Sequence, residues 1–331
     1  MSGWRERVCI AASMWLVLAS PVPGWAQQYW APVRVQTEGP AATPATFAPA
    51  ESSTSPFSVL VGTNWASAYY WRGFRQTPNG SPNLQPYLEL GVKLLKDAGP
   101  LSSLVIAPGI WTNWNDGSRT DFDREEFWLT LPYFKATATW WETLSTTVTY
   151  TYYKSVGSSS GLNEVGLGFG LNDAKWLGAF AFNPNLLLAF DFETEEALTG
   201  SLPSYRVYMG LGLAPGYTFF ESSRLPVNIS VPMTFGFSVK DFYVQRRVSR
   251  CPAVITAGFG NCVTFEDQNQ AFGYFSGGPL ISMPLKFIPA SFGSWTLQGG
   301  VQFLALNSAL AARNDQRSFV PIGSVGLSLT Y

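Results

Sequence analysis

The stretch Gly323–Tyr331, GSVGLSLTY, alternates between two kinds of side chain. Val325, Leu327, Leu329 and Tyr331 are apolar or aromatic, whereas the residues between them are small or polar. Successive side chains of a β-strand point to opposite faces, so this pattern predicts a strand with one apolar face. The alternation reaches an aromatic last residue, although most chains end in a polar, frayed tail.

The same alternation recurs from Phe57 onward and defines twelve segments. Many of them are longer than the five or six residues of ordinary strands and approach the about 9–11 residues that cross a membrane. The predicted segments are roughly 57–70, 84–95, 102–113, 125–139, 144–154, 162–172, 185–194, 205–217, 225–239, 271–286, 294–306 and 319–331.

The connections between these segments alternate in length. Long polar connections such as 240–270 follow the odd segments, and short ones such as 141–143 follow most even segments; 173–184 is longer and more apolar. This pattern is typical of transmembrane barrels with both chain ends on the periplasmic side. It predicts an all-β fold: a transmembrane antiparallel up-and-down β-barrel of twelve strands over residues 57–331.

A soluble β-sandwich is the alternative fold. Its outer face would carry charges, but here the second face of the segments is mostly Gly, Ser, Thr, Ala and Asn, and only 13% of the chain is charged. Aromatic residues make up 15% of the chain and cluster near segment ends, where a barrel would place them at the membrane interface. Because only a closed sheet satisfies its backbone in lipid, the barrel is favoured. The clusters are Tyr69, Tyr70 and Trp71; Trp140 and Trp141; Tyr150, Tyr152 and Tyr153; Phe219 and Phe220.

The N-terminus has the features of a secretory signal peptide. Arg5 and Arg7 precede the apolar run Val8–Ala19, and small residues predict cleavage after Ala26, so that residues 1–26 are removed. Residues 27–56 are rich in Pro, Ala, Ser and Thr, which predicts a flexible periplasmic extension or an arm that binds a partner. The expected location is the cell outer membrane of a Gram-negative bacterium, in contact with lipid and lipopolysaccharide.

Composition excludes several functions. Without the predicted signal peptide the chain has 19 basic and 21 acidic residues, which predicts no nucleic-acid binding. The chain has no histidine, which excludes Ser-His-Asp and Cys-His sites, so neither an enzyme nor a cofactor is expected. Cys251 and Cys262 are predicted to form a disulfide rather than a metal site. They lie in a loop that either binds lipopolysaccharide phosphates or is a stapled surface loop.

The strand phase turns a set of polar side chains toward the barrel interior. One interpretation is a pore lining, so that the protein is a porin-like channel for small polar solutes. The other interpretation is that the inward charges neutralise each other inside a plugged, non-conducting barrel. Such a barrel would have a structural or surface-interaction role. The predicted lumen-lining residues are Arg72, Glu89, Lys93, Glu126, Glu164, Asp191, Arg206 and Gln298.

The stretch SAYYWRG, Ser67–Gly73, ends the first segment with three aromatic residues, an arginine and a glycine. Arg72 is expected either to clamp carboxylates from neighbouring strands or to contact an anionic ligand. The stretch fits S-x-Y-x-x-R-G and so resembles a group of functionally uncharacterised proteobacterial outer-membrane barrels, the Gcw_chp or TorF-like group. The resemblance implies the barrel fold, no established activity, and recognition of the final strand and Tyr331 by the outer-membrane assembly machinery.

Overall fold

The structure is a computed structural model that describes residues 55–76, 81–115, 127–155, 161–193, 205–250 and 263–331. Several predictions concern residues outside these ranges. They are the signal peptide, all of the extension before Ser55, the lumen-lining position Glu126, and the disulfide between Cys251 and Cys262.

Twelve antiparallel strands form the wall, as predicted, and three of them are interrupted. They are β1 (Phe57–Ala66), β2 (Asn83–Ala98), β3 (Leu101–Asn115), β4 (Phe127–Trp140), β5 (Leu144–Ser155), β6 (Gly161–Leu171), β7 (Asn185–Glu193), β8 (Arg206–Leu213 and Gly216–Phe219), β9 (Val227–Ser230 and Met233–Lys240), β10 (Phe272–Gly277 and Leu280–Pro284), β11 (Ser294–Leu306) and β12 (Phe319–Thr330). A separate hairpin pairs Val244–Arg250 with Val263–Asn269 beyond β9 and β10. The other elements are a hairpin of Tyr70–Trp71 and Phe74–Arg75, the helices Ala174–Leu177 and Ser308–Ala312, and the 3-10 turns Gly178–Phe180 and Ala290–Phe292.

The wall closes between the first strand and the last. Each strand pairs with its neighbours in the sequence, and β12 pairs with both β11 and β1. The closing ladder runs from Leu60 opposite Thr330 to Ala66 opposite Ser324. Val59 and Tyr331 exchange two backbone hydrogen bonds of 2.8 Å. The alternation that reaches Tyr331 therefore belongs to a strand that is paired to its end.

The outer face of the wall is an apolar belt. Val61, Leu90 and Phe134, from three different strands, are 41%, 47% and 47% exposed, and similar side chains cover the remaining strands. Away from the strand ends, the described outward positions carry no Asp, Glu, Lys or Arg. An exposed apolar surface that encircles the molecule is what lipid requires. The fold is that of outer-membrane β-barrels. Among the described residues, no helix is long and apolar enough to span a bilayer.

The long apolar turn 172–184 has a structural role in the wall. β7 begins at Asn185, so β8 extends past it at the end of the barrel that carries the short turns. There Ala214 N–H donates to the Phe182 carbonyl at 2.7 Å, where a strand would otherwise pair. The Asp173 carboxylate accepts bonds from the backbone N–H groups of Phe182 and Asn183 at 3.1 and 2.8 Å. The turn therefore covers a sheet edge that would otherwise be open.

Three prolines at one level interrupt β8, β9 and β10. Val231 N–H donates to the Pro215 carbonyl at 2.8 Å, and Val301 N–H donates to the Pro279 carbonyl at 3.1 Å. Because proline has no N–H, the facing carbonyls of Val231 and Val301 lack the return bond that an antiparallel pair normally makes. Pro232 in β9 likewise cannot donate a hydrogen bond to the facing strand, β10. This row is therefore a weak line in the ladder.

Replacing Pro279 with alanine should stabilise the barrel, because the new N–H can donate to the Val301 carbonyl. We expect a gain of about 1 kcal/mol. On a gel that separates folded from unfolded barrel, this raises the midpoint temperature of heat modification by about 2–4 °C. Pro289→Ala, in the turn before β11, is the control: it loses a proline ring without gaining a ladder bond, so its midpoint should not rise. An unchanged or lower midpoint for Pro279→Ala would contradict the interpretation.

Candidate functional site

Residues 67–76, called the stopper below, turn into the lumen instead of continuing β1. Ser67 N–H donates to the Gly323 carbonyl at 2.9 Å, and Gly323 N–H donates to the Ser67 hydroxyl at 3.0 Å. Arg72 and Gly73 then adopt φ of 49° and 85°, which reverse the chain in a tight hairpin. The prediction that the first strand continues to residue 70 is therefore wrong, because these contacts bend the chain inward after Ala66.

The stopper packs its aromatic side chains against the inside of the wall. Tyr69 and Tyr70 are 1% and 2% exposed. The Tyr69 ring lies 5.3 Å from Trp111 on β3, and the Trp71 ring lies 5.4 Å from Tyr153 on β5. Tyr69, Tyr70 and Tyr153 are thus buried in the lumen, and their predicted interfacial position is wrong. The remaining large side chains of the buried clusters are Tyr133, Leu129, Leu131, Leu187, Tyr208, Phe242, Tyr243, Tyr274, Leu304, Leu306, Leu310, Val320 and Ile322.

Arg72 crosses the lumen to the far wall. Its Nη1 lies 2.7 Å from Glu164 Oε2 on β6 and 3.4 Å from Asp191 Oδ1 on β7, and all three side chains are at most 1% exposed. Its guanidinium carbon also lies 4.3 Å from the centre of the Tyr208 ring. Of the two roles expected for Arg72, these contacts correspond to the carboxylate clamp and not to an anionic ligand. Its partners lie halfway around the ring from β1, not on neighbouring strands.

The connection between β11 and β12 closes over the stopper. The Asn314 amide is fully buried and donates to the Gly73 carbonyl at 3.1 Å and to the Leu310 carbonyl at 2.8 Å. Arg75 N–H donates to the Asn314 side-chain oxygen at 3.3 Å. The Arg75 guanidinium donates to the Asp315 carboxylate and lowers the pKa of that carboxyl. The stopper is therefore held from above as well as from the far wall.

A second buried charge pair joins β4 to β2. Lys135 Nζ on β4 is 2.9 Å from Glu89 Oε1 on β2, and Tyr133 donates a hydrogen bond to the same carboxylate. Glu89 and Tyr133 are not on adjacent strands, and Gly109 of β3 lies between them in the register. The missing side chain at Gly109 lets the Tyr133 ring reach across. Lys135 was not among the predicted lining residues, although its phase on β4 places it on the inward face.

Glu89, Glu164 and Asp191 belong to one polar row that runs across seven neighbouring strands. Each member faces the next directly in the strand register, so the row follows the hydrogen-bonding direction around more than half of the wall. Its members, from β2 to β8, are Glu89, Gly109, Tyr133, Thr151, Glu164, Asp191 and Arg206. Together with Lys135 and Arg72 the row contains three acidic and three basic groups.

The other predicted lining residues lie elsewhere. Gln298 on β11 donates to Asn64 on β1 at 2.7 Å, across the position of Gly326 on β12, whose missing side chain makes the contact possible. Lys93 is half-buried toward the end of the barrel that carries the short turns, called the lower end below. Tyr331 is 67% exposed, and its role as an assembly signal stays a prediction.

The lower half of the lumen differs from the half that holds the stopper. Its inward positions carry hydroxyls, carboxamides and glycines instead of aromatic rings. Examples are Ser145, Thr147, Gly168, Asn185, Gly212 and Ser230. In the described ranges, no three His, Cys, Asp or Glu side chains lie together in a way that could hold a metal ion.

Comparison with known proteins gives no family. No family model and no curated protein matches the sequence. Among solved structures, the transport unit of the autotransporter AIDA-I from Escherichia coli is 13% identical, with a TM-score of 0.40 over 85% of this chain and 92% of that one. The translocator domain of the autotransporter NalP from Neisseria meningitidis is 10% identical, with a TM-score of 0.39 over 84% and 90%. Likeness at this level identifies neither a family nor an activity.

Proposed function

We propose that this protein is an outer-membrane β-barrel whose lumen is closed at rest and which serves the cell envelope as a membrane-anchored scaffold. The observation that supports this most is the contact of Arg72 with Glu164 and Asp191. It joins a segment that follows β1 to the opposite wall, through the middle of the barrel.

The location in the outer membrane of a Gram-negative bacterium is part of the proposal. It is supported by the apolar belt around the closed wall, which in water would be a large unfavourable exposed surface. The predicted signal peptide supports export. Contacts with lipid and lipopolysaccharide, recognition by the assembly machinery, membership of the Gcw_chp or TorF-like group and the absence of enzymatic activity stay predictions.

Closure of the lumen is supported by what fills it. A passage for polar solutes needs a continuous wetted lining. Here Tyr208, Tyr243 and Tyr274 are at most 1% exposed and pack beside the stopper. The carboxylates of the polar row pair with Arg72 and Lys135, which agrees with mutual neutralisation inside a plugged barrel and leaves little free charge to select solutes.

A porin-like channel for small polar solutes is the second candidate. The small polar side chains in the lower half of the lumen favour it, because they resemble a pore lining more than a packed core. This function requires the stopper to leave the half of the lumen that it now fills. The two candidates therefore differ in the behaviour of residues 67–76.

Purified, folded protein in liposomes tests the closed state. We expect liposomes that contain the wild-type barrel to swell in solutions of small sugars no faster than empty ones, and planar bilayers to show no steady conductance. An open porin measured in parallel shows that the assay detects flux. Steady conductance of the wild-type protein would overturn the closed barrel, and recovery of the processed chain as a soluble periplasmic protein would overturn the membrane location.

A further inference from the structure

We propose that the stopper is a releasable gate, locked by Arg72, and that its release opens a passage that prefers cations. This inference rests on the proposed function, because a gate has meaning only in a barrel that is closed at rest. Three properties of the structure support this gate: the independence of the wall, the nature of the lock, and the charges that release would uncover.

The wall does not depend on the stopper. The ladder between β1 and β2 runs from Phe57 opposite Val92 to Ala66 opposite Asn83, and the ladder between β1 and β12 also ends at Ala66. The strands within the stopper pair only with each other, as a two-stranded sheet separate from the barrel. The stopper can therefore move while the closed ladder of the barrel stays in place.

The lock consists of charged and polar contacts that Arg72 makes with the wall and with Tyr243. Arg72 binds Glu164 and Asp191, and its carbonyl accepts a hydrogen bond of 3.1 Å from the Tyr243 hydroxyl. A buried ion pair adds little net stability compared with apolar side chains of the same size, and its best-attested use is to specify one arrangement among several. Arg72 thus selects the closed arrangement, and the surrounding aromatic rings hold the stopper there.

Release would change the charge of the lumen. Glu164 and Asp191 would lose Arg72, and the remaining basic member of the row beside them is Arg206, opposite Asp191 in the register. These three residues then carry a net charge of −1. The Glu89–Lys135 pair contributes no net charge. Wall charges of one sign at a constriction admit ions of the opposite sign, so the passage would prefer cations.

Single-channel recordings in a potassium chloride gradient test the gate with two kinds of variant. Arg72→Gln removes the lock and leaves both carboxylates. We expect an open probability at least tenfold above wild type and a reversal potential shifted toward that of potassium. The double variant Glu164→Gln with Asp191→Asn also removes the lock, and it should open to a similar extent without cation preference. Lys96→Gln, an exposed change of the same charge at the lower end of β2, is the control and should behave like wild type.

The outcomes separate the two proposals. A folded, heat-modifiable Arg72→Gln barrel that stays as closed as wild type would overturn the gate and leave the closed barrel standing. Equal cation preference in both lock variants would overturn the assigned role of Glu164 and Asp191. Conductance of wild type at rest would overturn the proposed function itself.

Hydrogen exchange of the wild-type protein tests the same idea without any variant. A releasable stopper should open more often than the wall, so we expect amides of residues 69–76 to exchange at least tenfold faster than those of 59–65 in β1. Equal protection of the two segments would overturn the gate even if the lock variants fail to fold.

Discussion

Lys135→Ala should destabilise the barrel by about 3–5 kcal/mol, because it leaves the buried Glu89 carboxylate without its charge partner. Glu89 is fully buried, and the remaining hydrogen bond from Tyr133 cannot compensate a charge in that position. The measurement is the free energy of unfolding from urea titration in detergent micelles, followed by tryptophan fluorescence. Lys93→Ala, at a half-buried position on β2, is the control and should cost less than about 1 kcal/mol.

The double variant Glu89→Gln with Lys135→Met distinguishes a charge effect from a packing effect. It removes both charges and retains most of the volume, so it should be clearly more stable than Lys135→Ala alone. If the double variant is as unstable as the single one, the loss comes from packing, and the role of Lys135 as a counter-charge is wrong.

Gly73→Ala should cost about 2–5 kcal/mol, the second large effect that we expect. At φ of 85° any side chain is strained by about 1–2 kcal/mol. A new methyl group would also lie 2.7 Å from the Leu310 side chain, and such crowding adds about 1–3 kcal/mol. The same urea titration measures the loss.

Gly99→Ala is the matched control for Gly73→Ala. Gly99 has φ of 65° in the turn between β2 and β3, but nothing lies within 4 Å of the position that a methyl group would occupy. It should therefore show only the backbone strain of about 1–2 kcal/mol. Equal losses at the two positions would mean that Leu310 moves aside and that the stopper is loosely packed above Gly73.

The strands of the wall were predictable because the information is local. Alternation along each segment places side chains on two faces, and each strand pairs with the next in the sequence, so segments such as 294–306 match β11 without knowledge of distant residues. The first strand is the exception. Its predicted end at residue 70 followed the same alternation, but Ser67 bonds to Gly323, which is 256 residues away.

The filling of the lumen was only partly predictable. The expectation of a polar inner face holds for positions such as Ser145 and Thr147, but Leu187 and Ala189 of β7 are inward, apolar and buried. Phase placed Glu164 and Asp191 on the inner face without showing that Arg72 would meet them. Tyr243 and Asn314 gave no signal that set them apart from their neighbours, and the inward phase of Lys135 did not show that it would meet Glu89.

The sequence alone determined a closed wall of twelve strands with an apolar exterior, because strand alternation and pairing between consecutive segments are short-range properties. Only the tertiary structure decided what the wall encloses. Arg72 and Asp191 are 119 residues apart, and Gly73 and Asn314 are 241 apart. The stagger of twelve strands and the inward turn after Ala66 together decide which inward side chains meet. No local sequence pattern encodes how these shifts add up around the barrel.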